Sequence, residues 1–157
     1  MTRYGLLTEK QLLVLALAAC GKSVAEIARM LGVTRQDVST ALRRARRNME
    51  RAAKTMEAYV AATSPFIVHA AAGTALLDLA DELLRRADRA GRRIPLGRAE
   101  LVIYLRAVLA PRLAEGRLRE EACLALDTES RPVPIDCSIA DAVSAVAHVA
   151  LEGVRGG

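Results

Sequence analysis

Four polar side chains stand close together in one short stretch of the chain: Arg35, Gln36, Ser39 and Thr40. They are the first exposed positions of a helix predicted to begin at Thr34. An arginine can donate two hydrogen bonds to a guanine edge, and a glutamine can pair in the same two-bond manner with an adenine edge. These residue types therefore predict a surface that reads base edges in the major groove of duplex DNA.

Basic and hydroxyl side chains surround these positions and are candidates for binding phosphate groups. The predicted phosphate ligands are Lys22, Ser23, Thr34, Arg43, Arg44, Arg46 and Arg47. With Arg51 and Lys54, the arginines from Arg43 onwards form a basic ridge along the predicted helix. The alternative is a solvated helix face, but so many basic residues among so few acidic ones favour phosphate contacts.

The elements that must position these side chains are two helices joined by a glycine turn. Ser23 and Glu26 have the spacing of a capping box, which predicts a helix over 24–31. Gly32 follows where a helix end favours a residue that tolerates positive φ. Thr34 can then cap the second helix. Two helices joined in this way are typical of a helix-turn-helix.

A first helix, predicted from Thr8 to Cys20 with Gln11 at the capping-box position, would support this pair from behind. The alternative interpretation of the pair is a plain helical hairpin inside a protein core. The polarity of the second helix argues against it, because Val38, Leu42 and Ala45 provide most of its apolar surface. We therefore favour DNA binding, which both the turn and the charge indicate.

The distribution of charge supports this interpretation. The chain has 157 residues and a net charge of +5, yet residues 1–60 carry eleven basic and five acidic residues, or +6, and the remainder carries −1. A polyanionic partner for the N-terminal part follows. Aromatic residues make up 3% of the chain, so a surface that stacks many unpaired bases is not expected.

The helix that begins at Thr34 is predicted to be unusually long, because residues 34–61 contain neither glycine nor proline. Apolar residues recur along it at steps of four and three, which is a heptad seam. The seam consists of Val38, Leu42, Ala45, Met49, Ala52, Met56 and Tyr59. Its first part must pack on the preceding helices. Its later part needs another partner, either the C-terminal domain or the same helix of a second subunit.

We predict two domains, residues 1–61 and residues 65–157, with a boundary at Thr63-Ser64-Pro65 where proline ends the long helix. The second domain interleaves strands with helices, which predicts a small α+β domain with a short sheet and a C-terminal helix. Its predicted strands are 66–70, 121–127 and 131–136, residues 92–96 could form a short edge strand, and its predicted helices are 74–89, 98–110 and 138–152. The fold class is therefore α+β and mainly helical.

The three cysteines, Cys20, Cys123 and Cys137, lack the spacing of a zinc site and are odd in number. This predicts buried thiols in a reducing cytosol. A hairpin that pairs Leu124 with Ile135 would turn Cys123 to the face that disfavours a Cys123–Cys137 disulfide, because side chains alternate along a strand. A slip of one residue in the pairing would restore that disulfide.

The remaining polar residues do not indicate catalysis. His69 lies in an apolar run, which favours a core or edge histidine over a metal ligand, and His148 is distant in sequence. Pairs at helical spacing, Asp81–Arg85 and Glu82–Arg86, account for the charges of one helix as a solvated face. The sequence therefore predicts a protein that is not an enzyme and that uses no cofactor and no metal.

The apolar segments do not predict a membrane protein. The longest apolar run, residues 12–20, is shorter than the roughly 20 residues that a membrane-spanning helix needs. The N-terminus lacks the pattern of a secretory signal peptide. A cytoplasmic location is the expectation.

Three segments of the chain together resemble the archaeal Tfx-type DNA-binding proteins. They are Leu7-Thr8-Glu9-Lys10-Gln11-Leu12, the helix-turn-helix stretch from Gly21 to Ser39, and Arg43-Arg44-Ala45-Arg46 with Asn48, Met49, Glu50 and Ala52. The order strand, helix, helix, hairpin over residues 65–136 is similar as well, and the predicted helix 138–152 extends beyond the family pattern. The resemblance implies a helix-turn-helix related to those of sigma factors and response regulators, followed by a small α+β domain. It also implies a regulator of transcription that acts on promoter DNA through residues 34–47.

Three functions are compatible with these observations. The first, which we favour, is a homodimeric regulator that binds duplex DNA in a sequence-specific manner. The second is an adaptor that docks on RNA polymerase or another factor through protein contacts. The third is a regulator whose C-terminal domain binds a small-molecule effector.

Overall fold

The structure, a computed structural model, describes the backbone of residues 2–155 and the side chains of residues 2–147. It contains two compact units, Met1–Thr55 and Met56–Gly157. The division falls inside the third helix, whereas the sequence places the domain boundary at the end of that helix. The reason is that the last turns of the helix pack in the second unit, where Ala61 is 3% exposed within a cluster of sheet residues.

The first unit is a hairpin followed by three helices. The hairpin pairs β1 (Arg3–Tyr4) with β2 (Leu7–Thr8). The helices are α1 (Glu9–Ala19), α2 (Val24–Leu31) and α3 (Arg35–Thr63), of which α3 continues into the second unit. All three helices lie within two residues of their predicted bounds. The hairpin is an addition that the sequence did not predict.

The core of the first unit is small and aliphatic. Val14 of α1, Ile27 of α2 and Val38 of α3 are fully buried, and Ala28, Ala41 and Leu42 complete the cluster. Each fully buried side chain of this kind contributes about 1.5–3 kcal/mol through removal from water. The three helices are therefore held by their apolar faces, and their opposite faces are free to carry other chemistry.

The second unit combines a three-stranded sheet with helices. Its elements are β3 (Ile67–Ala70), α4 (Leu76–Arg89), α5 (Arg98–Val108), a 3₁₀ turn (Ala110–Arg112), β4 (Leu113–Ala114), β5 (Arg117–Leu118), β6 (Ala122–Leu126), β7 (Pro132–Ile135) and α6 (Cys137–Arg155). The sheet is antiparallel in the order β3-β6-β7, and β4 and β5 form a separate hairpin. The predicted α+β, mainly helical fold is confirmed.

The central strand β6 is buried along its whole length because both faces of the sheet are covered. Ala122, Leu124 and Leu126 join the cluster formed with α4 and α5. Cys123 and Ala125 join a second cluster on the opposite face. This alternation is the two-residue period of a strand. Burial on both sides explains why β6 lacks polar side chains.

The predicted strand over residues 92–96 is wrong. This segment is irregular and lies between α4 and α5. It contributes Ile94, 5% exposed, to the core. Pro95 has no backbone N–H to donate to a neighbouring strand. The segment therefore contributes an apolar side chain to the core, but its backbone does not pair as a strand.

The predicted hairpin register was also wrong, by one residue. Cys123 pairs with Ile135 and Leu124 with Pro134, in place of the expected pairing of Leu124 with Ile135. The shift turns Cys123 toward Cys137, and the two form a disulfide with their Cα atoms 5.3 Å apart. The expectation of buried free thiols fails for the third cysteine too, because Cys20 is exposed.

Ion pairs on α4 differ in part from the prediction. Asp81 pairs with Arg98 through two hydrogen bonds of 2.6 and 2.9 Å, and not with Arg85. These bonds lower the pKa of the Asp81 carboxyl. The predicted pair of Glu82 and Arg86 is present at 3.8 Å.

No described helix combines the length and the apolar character needed to cross a bilayer. The side chain of His148, the second histidine considered in the sequence, lies outside the part of the chain whose side chains are described.

Candidate nucleic-acid interface

Two capping boxes fix the start of α1 and the start of α2. The Thr8 hydroxyl accepts the N–H of Gln11 at 3.3 Å, and the Gln11 side chain accepts the N–H of Thr8 at 3.0 Å. In α2 the Ser23 hydroxyl accepts the N–H of Glu26 at 3.2 Å, and the Glu26 carboxylate accepts the N–H of Ser23 at 2.7 Å. Both predicted boxes are confirmed. Each satisfies two backbone donors that a helix start leaves without partners.

The turn between α2 and α3 depends on Gly32. This residue has φ +64° and ψ 32°, a left-handed conformation in which a side chain is unfavourable. The N–H of Val33 donates to the carbonyl of Ala28 at 3.0 Å, which closes the end of α2. The chain can therefore reverse within a few residues and begin α3 at once.

A third capping box opens α3. The N–H of Asp37 donates to the Thr34 hydroxyl at 3.1 Å, and the Asp37 carboxylate accepts both the N–H and the hydroxyl proton of Thr34, at 3.2 and 2.7 Å. The hydrogen bond from the Thr34 hydroxyl is the largest cause of a lowered pKa at Asp37. The predicted cap is confirmed, with Asp37 as a partner that the sequence did not identify. Because its proton is donated to Asp37, the Thr34 hydroxyl is already used within the helix start.

The first turns of α3 separate apolar from polar side chains. Val38, Ala41, Leu42 and Ala45 are 9% exposed or less and face the core. The predicted base-reading residues lie on the remaining surface: Arg35, Gln36 and Ser39 are exposed, and Thr40 is partly exposed. Their side chains are therefore accessible to a partner along the first two turns of the helix.

Most of the predicted phosphate ligands are exposed as well. Arg43, Arg44, Arg46 and Arg47 are exposed on α3, and Lys22 and Ser23 are exposed at the start of α2. An open groove of about 640 Å³ is lined by Ser39, Arg43, Arg46 and Arg47, together with Val24, Leu42 and Glu50. Three arginines against one glutamate make this groove basic. The start of α2 also carries the positive end of its helix dipole, which favours an anion.

Asn48 has a role that the sequence did not reveal. Its side-chain amide donates to the carbonyl of Leu6 at 2.8 Å, across 42 residues. This bond ties the hairpin of β1 and β2 to α3. Asn48 stands in the Arg-Arg-Ala-Arg-x-Asn segment that we singled out, yet a contact so distant in sequence leaves no local pattern from which it could be found.

The helix-turn-helix, its caps and its basic face define the class of protein. Residues 5–49 match the family described as sigma-70, region 4, and this match covers β2, α1, α2 and the first half of α3. The chain therefore carries a sigma-70 region 4 helix-turn-helix, which implies DNA binding.

Comparison over the longer part of the chain gives the family. A protein of Pyrococcus abyssi is 34% identical over 135 residues, which are 85% of this chain and 90% of that protein. A protein of Pyrococcus furiosus is 31% identical over 139 residues, 87% and 95% of the two chains. A third, of Thermococcus kodakarensis, is 33% identical over 137 residues, 86% and 88%. The names of all three proteins describe them as transcriptional regulatory proteins, a role assigned to them by inference. This chain belongs to the same family of archaeal transcriptional regulators.

Proposed function

We propose that this chain is a sequence-specific regulator of the Tfx type, which binds duplex DNA as a homodimer and places the first turns of α3 in the major groove. The observation that carries the proposal is the exposed polar face of α3. The side chains of Arg35, Gln36 and Ser39 are exposed on this face, while Val38 and Leu42 of the same helix are buried in the core. The relatives, named as transcriptional regulatory proteins, support the regulatory role. Such a regulator works in the cytoplasm, on the genome.

The exposed residues divide into two functional groups. Arg35, Gln36, Ser39 and Thr40 read base edges, because they occupy the N-terminal turns of the second helix of the motif. Lys22, Ser23 and the four arginines Arg43, Arg44, Arg46 and Arg47 hold phosphates. Thr34 supports this group by capping α3, because both its N–H and its hydroxyl proton are donated to Asp37.

Recognition and general affinity are separable by mutation. We expect Gln36→Ala to weaken binding to the cognate site by about 1–3 kcal/mol and to relax the base preference, because a side chain that meets a base edge carries sequence information. We expect Arg46→Ala to weaken all duplexes about equally and to reduce the slope of log K against log salt by about one. Arg106→Ala is the control, since Arg106 is an exposed arginine of α5 outside this surface.

The measurement begins with selection of the cognate site from random duplexes. Fluorescence anisotropy of labelled duplexes, cognate and scrambled, then gives affinities at a series of salt concentrations. Five basic side chains hold phosphates in this proposal, so the slope should be about −4 to −5 for each protomer. Equal losses on both duplexes for Gln36→Ala would contradict base reading. An affinity that does not depend on salt would indicate an adaptor that binds protein.

A further inference from the structure

Three side chains with metal-binding atoms meet on one face of the sheet in the second unit: His69, Cys123 and Cys137. Their ligand atoms all lie within 4.8 Å of one another. The Nδ1 atom of His69 is 3.2 Å from the sulfur of Cys123. The same nitrogen is 4.0 Å from a carboxylate oxygen of Asp141. We call these four residues the His-Cys cluster.

The fold brings the cluster together from three elements. His69 of β3 is directly opposite Cys123 of β6, so both side chains point to the same face of the sheet. Cys137 is the first residue of α6, and Asp141 follows it one turn later. Residues four positions apart are neighbours on a helix surface. The arrangement therefore depends on the observed strand register and would be lost in the register that the sequence predicted.

The placement of His69, Cys123 and Cys137 suits a tetrahedral metal ion once the disulfide between the two cysteines is reduced. Zinc binds thiolate sulfur at about 2.3 Å and imidazole nitrogen at about 2.0–2.1 Å, which sets neighbouring ligand atoms roughly 3.5–3.8 Å apart. The Nδ1 atom of His69 is 3.2 Å from the Cys123 sulfur, which is close to this spacing, and reduction of the disulfide would let the two sulfurs move apart to it. Two thiolates and an imidazole form a soft donor set, which selects zinc over magnesium or calcium.

We propose that His69, Cys123 and Cys137 bind one zinc ion when the two cysteines are reduced, and that the exposed Asp141 side chain, whose carboxylate is 4.0 Å from His69 Nδ1, turns toward the ion as the fourth ligand. In the structure Cys123 and Cys137 form a disulfide. A dithiol reductant transfers two electrons and two protons to that bond, which yields two thiols while the reductant becomes a disulfide. Zinc then binds both sulfurs, and the two thiol protons pass to solvent.

The cluster is buried on one side and accessible to solvent on the other. Cys123 is fully buried at the base. The side chains of His69 and Asp141 are 48% and 73% exposed at the rim. An ion held there joins the start of α6 to β3 and β6. In the oxidised chain, the disulfide joins α6 to β6 instead. The start of α6 is therefore held to the sheet in both states, by the metal ion in the reduced chain and by the disulfide in the oxidised chain.

The test measures zinc bound to the whole reduced chain. The protein is reduced with dithiothreitol, separated from it without oxygen, incubated with zinc chloride, desalted and examined by native mass spectrometry and elemental analysis. We expect one zinc ion for each chain in the wild type and in Cys20→Ser, which removes the cysteine outside the cluster. We expect loss of zinc in the double variant Cys123→Ser, Cys137→Ser and in His69→Asn, and no binding by the oxidised chain.

Cobalt substitution keeps the proposal testable if the double cysteine variant fails to fold. Cobalt bound to two thiolates in a tetrahedral site gives charge-transfer and visible bands, which should appear in the reduced wild type and disappear in His69→Asn, a change at an exposed side chain. Asp141→Asn should retain the bands and bind more weakly. A reduced wild type without zinc, a zinc ion that survives in the double variant, or a zinc ion lost in Cys20→Ser would each overturn the proposal.

Discussion

Thr34 and Gln36 lie two residues apart at the start of α3, yet their side chains have different surroundings. The hydroxyl of Thr34 both donates to Asp37 and accepts its N–H. Gln36 is exposed and lies outside this cap. The polar residues of the helix start therefore fall into those that hold the backbone and those that a partner can reach. In our proposal the second group carries the recognition of bases.

The caps of α2 and α3 make stability depend on pH. Hydrogen bonds from the Ser23 backbone and side chain lower the pKa of Glu26, and hydrogen bonds from Thr34 lower the pKa of Asp37. The unfolded chain then binds these two protons more readily than the folded chain. The contribution is therefore complete above the ordinary carboxyl pKa of about 4 and is lost as the pH falls through the lowered values.

Thermal unfolding at a series of pH values checks this linkage. The double variant Glu26→Gln, Asp37→Asn should be less stable than the wild type at neutral pH, and the difference in Tm should shrink on acidification to about pH 3. Asp88→Asn with Glu121→Gln is the matched control, because it removes two exposed carboxylates outside the caps. A difference that stays constant with pH would show that the two carboxylates do not act through their charge.

At the scale of single residues, the sequence was informative where interactions are local. Ser23 and Glu26 are three residues apart, so their reciprocal bonds leave a readable pattern. His69 and Cys123 are 54 residues apart, and their 3.2 Å approach follows from strand pairing. The expectation that His69 is a core or edge histidine is confirmed, because it is exposed on an edge strand of the sheet. Its neighbourhood could not be inferred before the register was known.

At the scale of elements, the turn at Gly32 decides how α3 follows α2. Gly32→Ala should lower the free energy of unfolding by about 1–2 kcal/mol, because φ is +64° and a left-handed conformation is unfavourable for an L side chain. A clash does not contribute, since a methyl carbon added at this position would meet no atom within 4 Å. Gly32→Asn should lose less, because asparagine tolerates this conformation.

Urea unfolding of the two variants and the wild type measures these differences. The pair is informative because alanine and asparagine both add a Cβ atom, and they differ in how well they accept positive φ. An alanine variant as stable as the wild type would show that the turn relaxes without strain. An asparagine variant as unstable as the alanine variant would point to a cause other than backbone conformation.

The hairpin of β6 and β7 shows why register was harder to predict than helix bounds. Asp127 accepts the N–H groups of Glu129 and Arg131 through one carboxylate oxygen, at 2.9 Å each. Ser130 adopts φ +61°, which is uncommon for a residue other than glycine. These features give a three-residue loop closed by Asp127 and Arg131, and they set the pairing. The apolar pattern of the strands alone allowed either register.

At the scale of the whole molecule, charge differs between the two units. Residues 1–55 carry eleven basic and four acidic residues, or +7, whereas residues 56–157 carry twelve and fourteen, or −2. Attraction to a polyanion therefore belongs to the unit with the helix-turn-helix. This asymmetry was readable from the sequence because it needs no knowledge of contacts.

The later part of the heptad seam presents exposed apolar side chains. Met56 and Tyr59 are 61% and 54% exposed. They line a groove of about 330 Å³ whose other lining residues are Glu57, Val60, Thr63, Asp127, Thr128 and Val133. Within the second unit, the sheet is contacted instead by Val60 and Ala61. Of the two partners that the sequence left open for Met56 and Tyr59, the C-terminal domain thus leaves both largely exposed. In the homodimer that we propose, this surface is the expected contact between the two copies.

Substitution of both residues tests this assignment. Met56→Glu with Tyr59→Glu should convert a dimer into a monomer, because four carboxylates would meet across the two-fold axis. Sedimentation equilibrium measures the mass. Ile103→Glu is the control, since Ile103 is an apolar side chain of α5 that is 70% exposed. A wild-type chain that is monomeric at all concentrations, or a double variant that stays dimeric, would contradict the assignment.

A side chain donates a hydrogen bond to each edge strand of the three-stranded sheet. On β7 the Tyr104 hydroxyl donates to the carbonyl of Pro132 at 2.6 Å. On β3 the Arg86 guanidinium donates to the carbonyl of Ile67 at 3.2 Å while it lies over the ring of Phe66. Prolines at 132 and 134 remove two further donors from β7. A strand from another molecule therefore finds few backbone donors along β7, and we expect concentrated or heated samples to resist growth into cross-β fibrils through this edge.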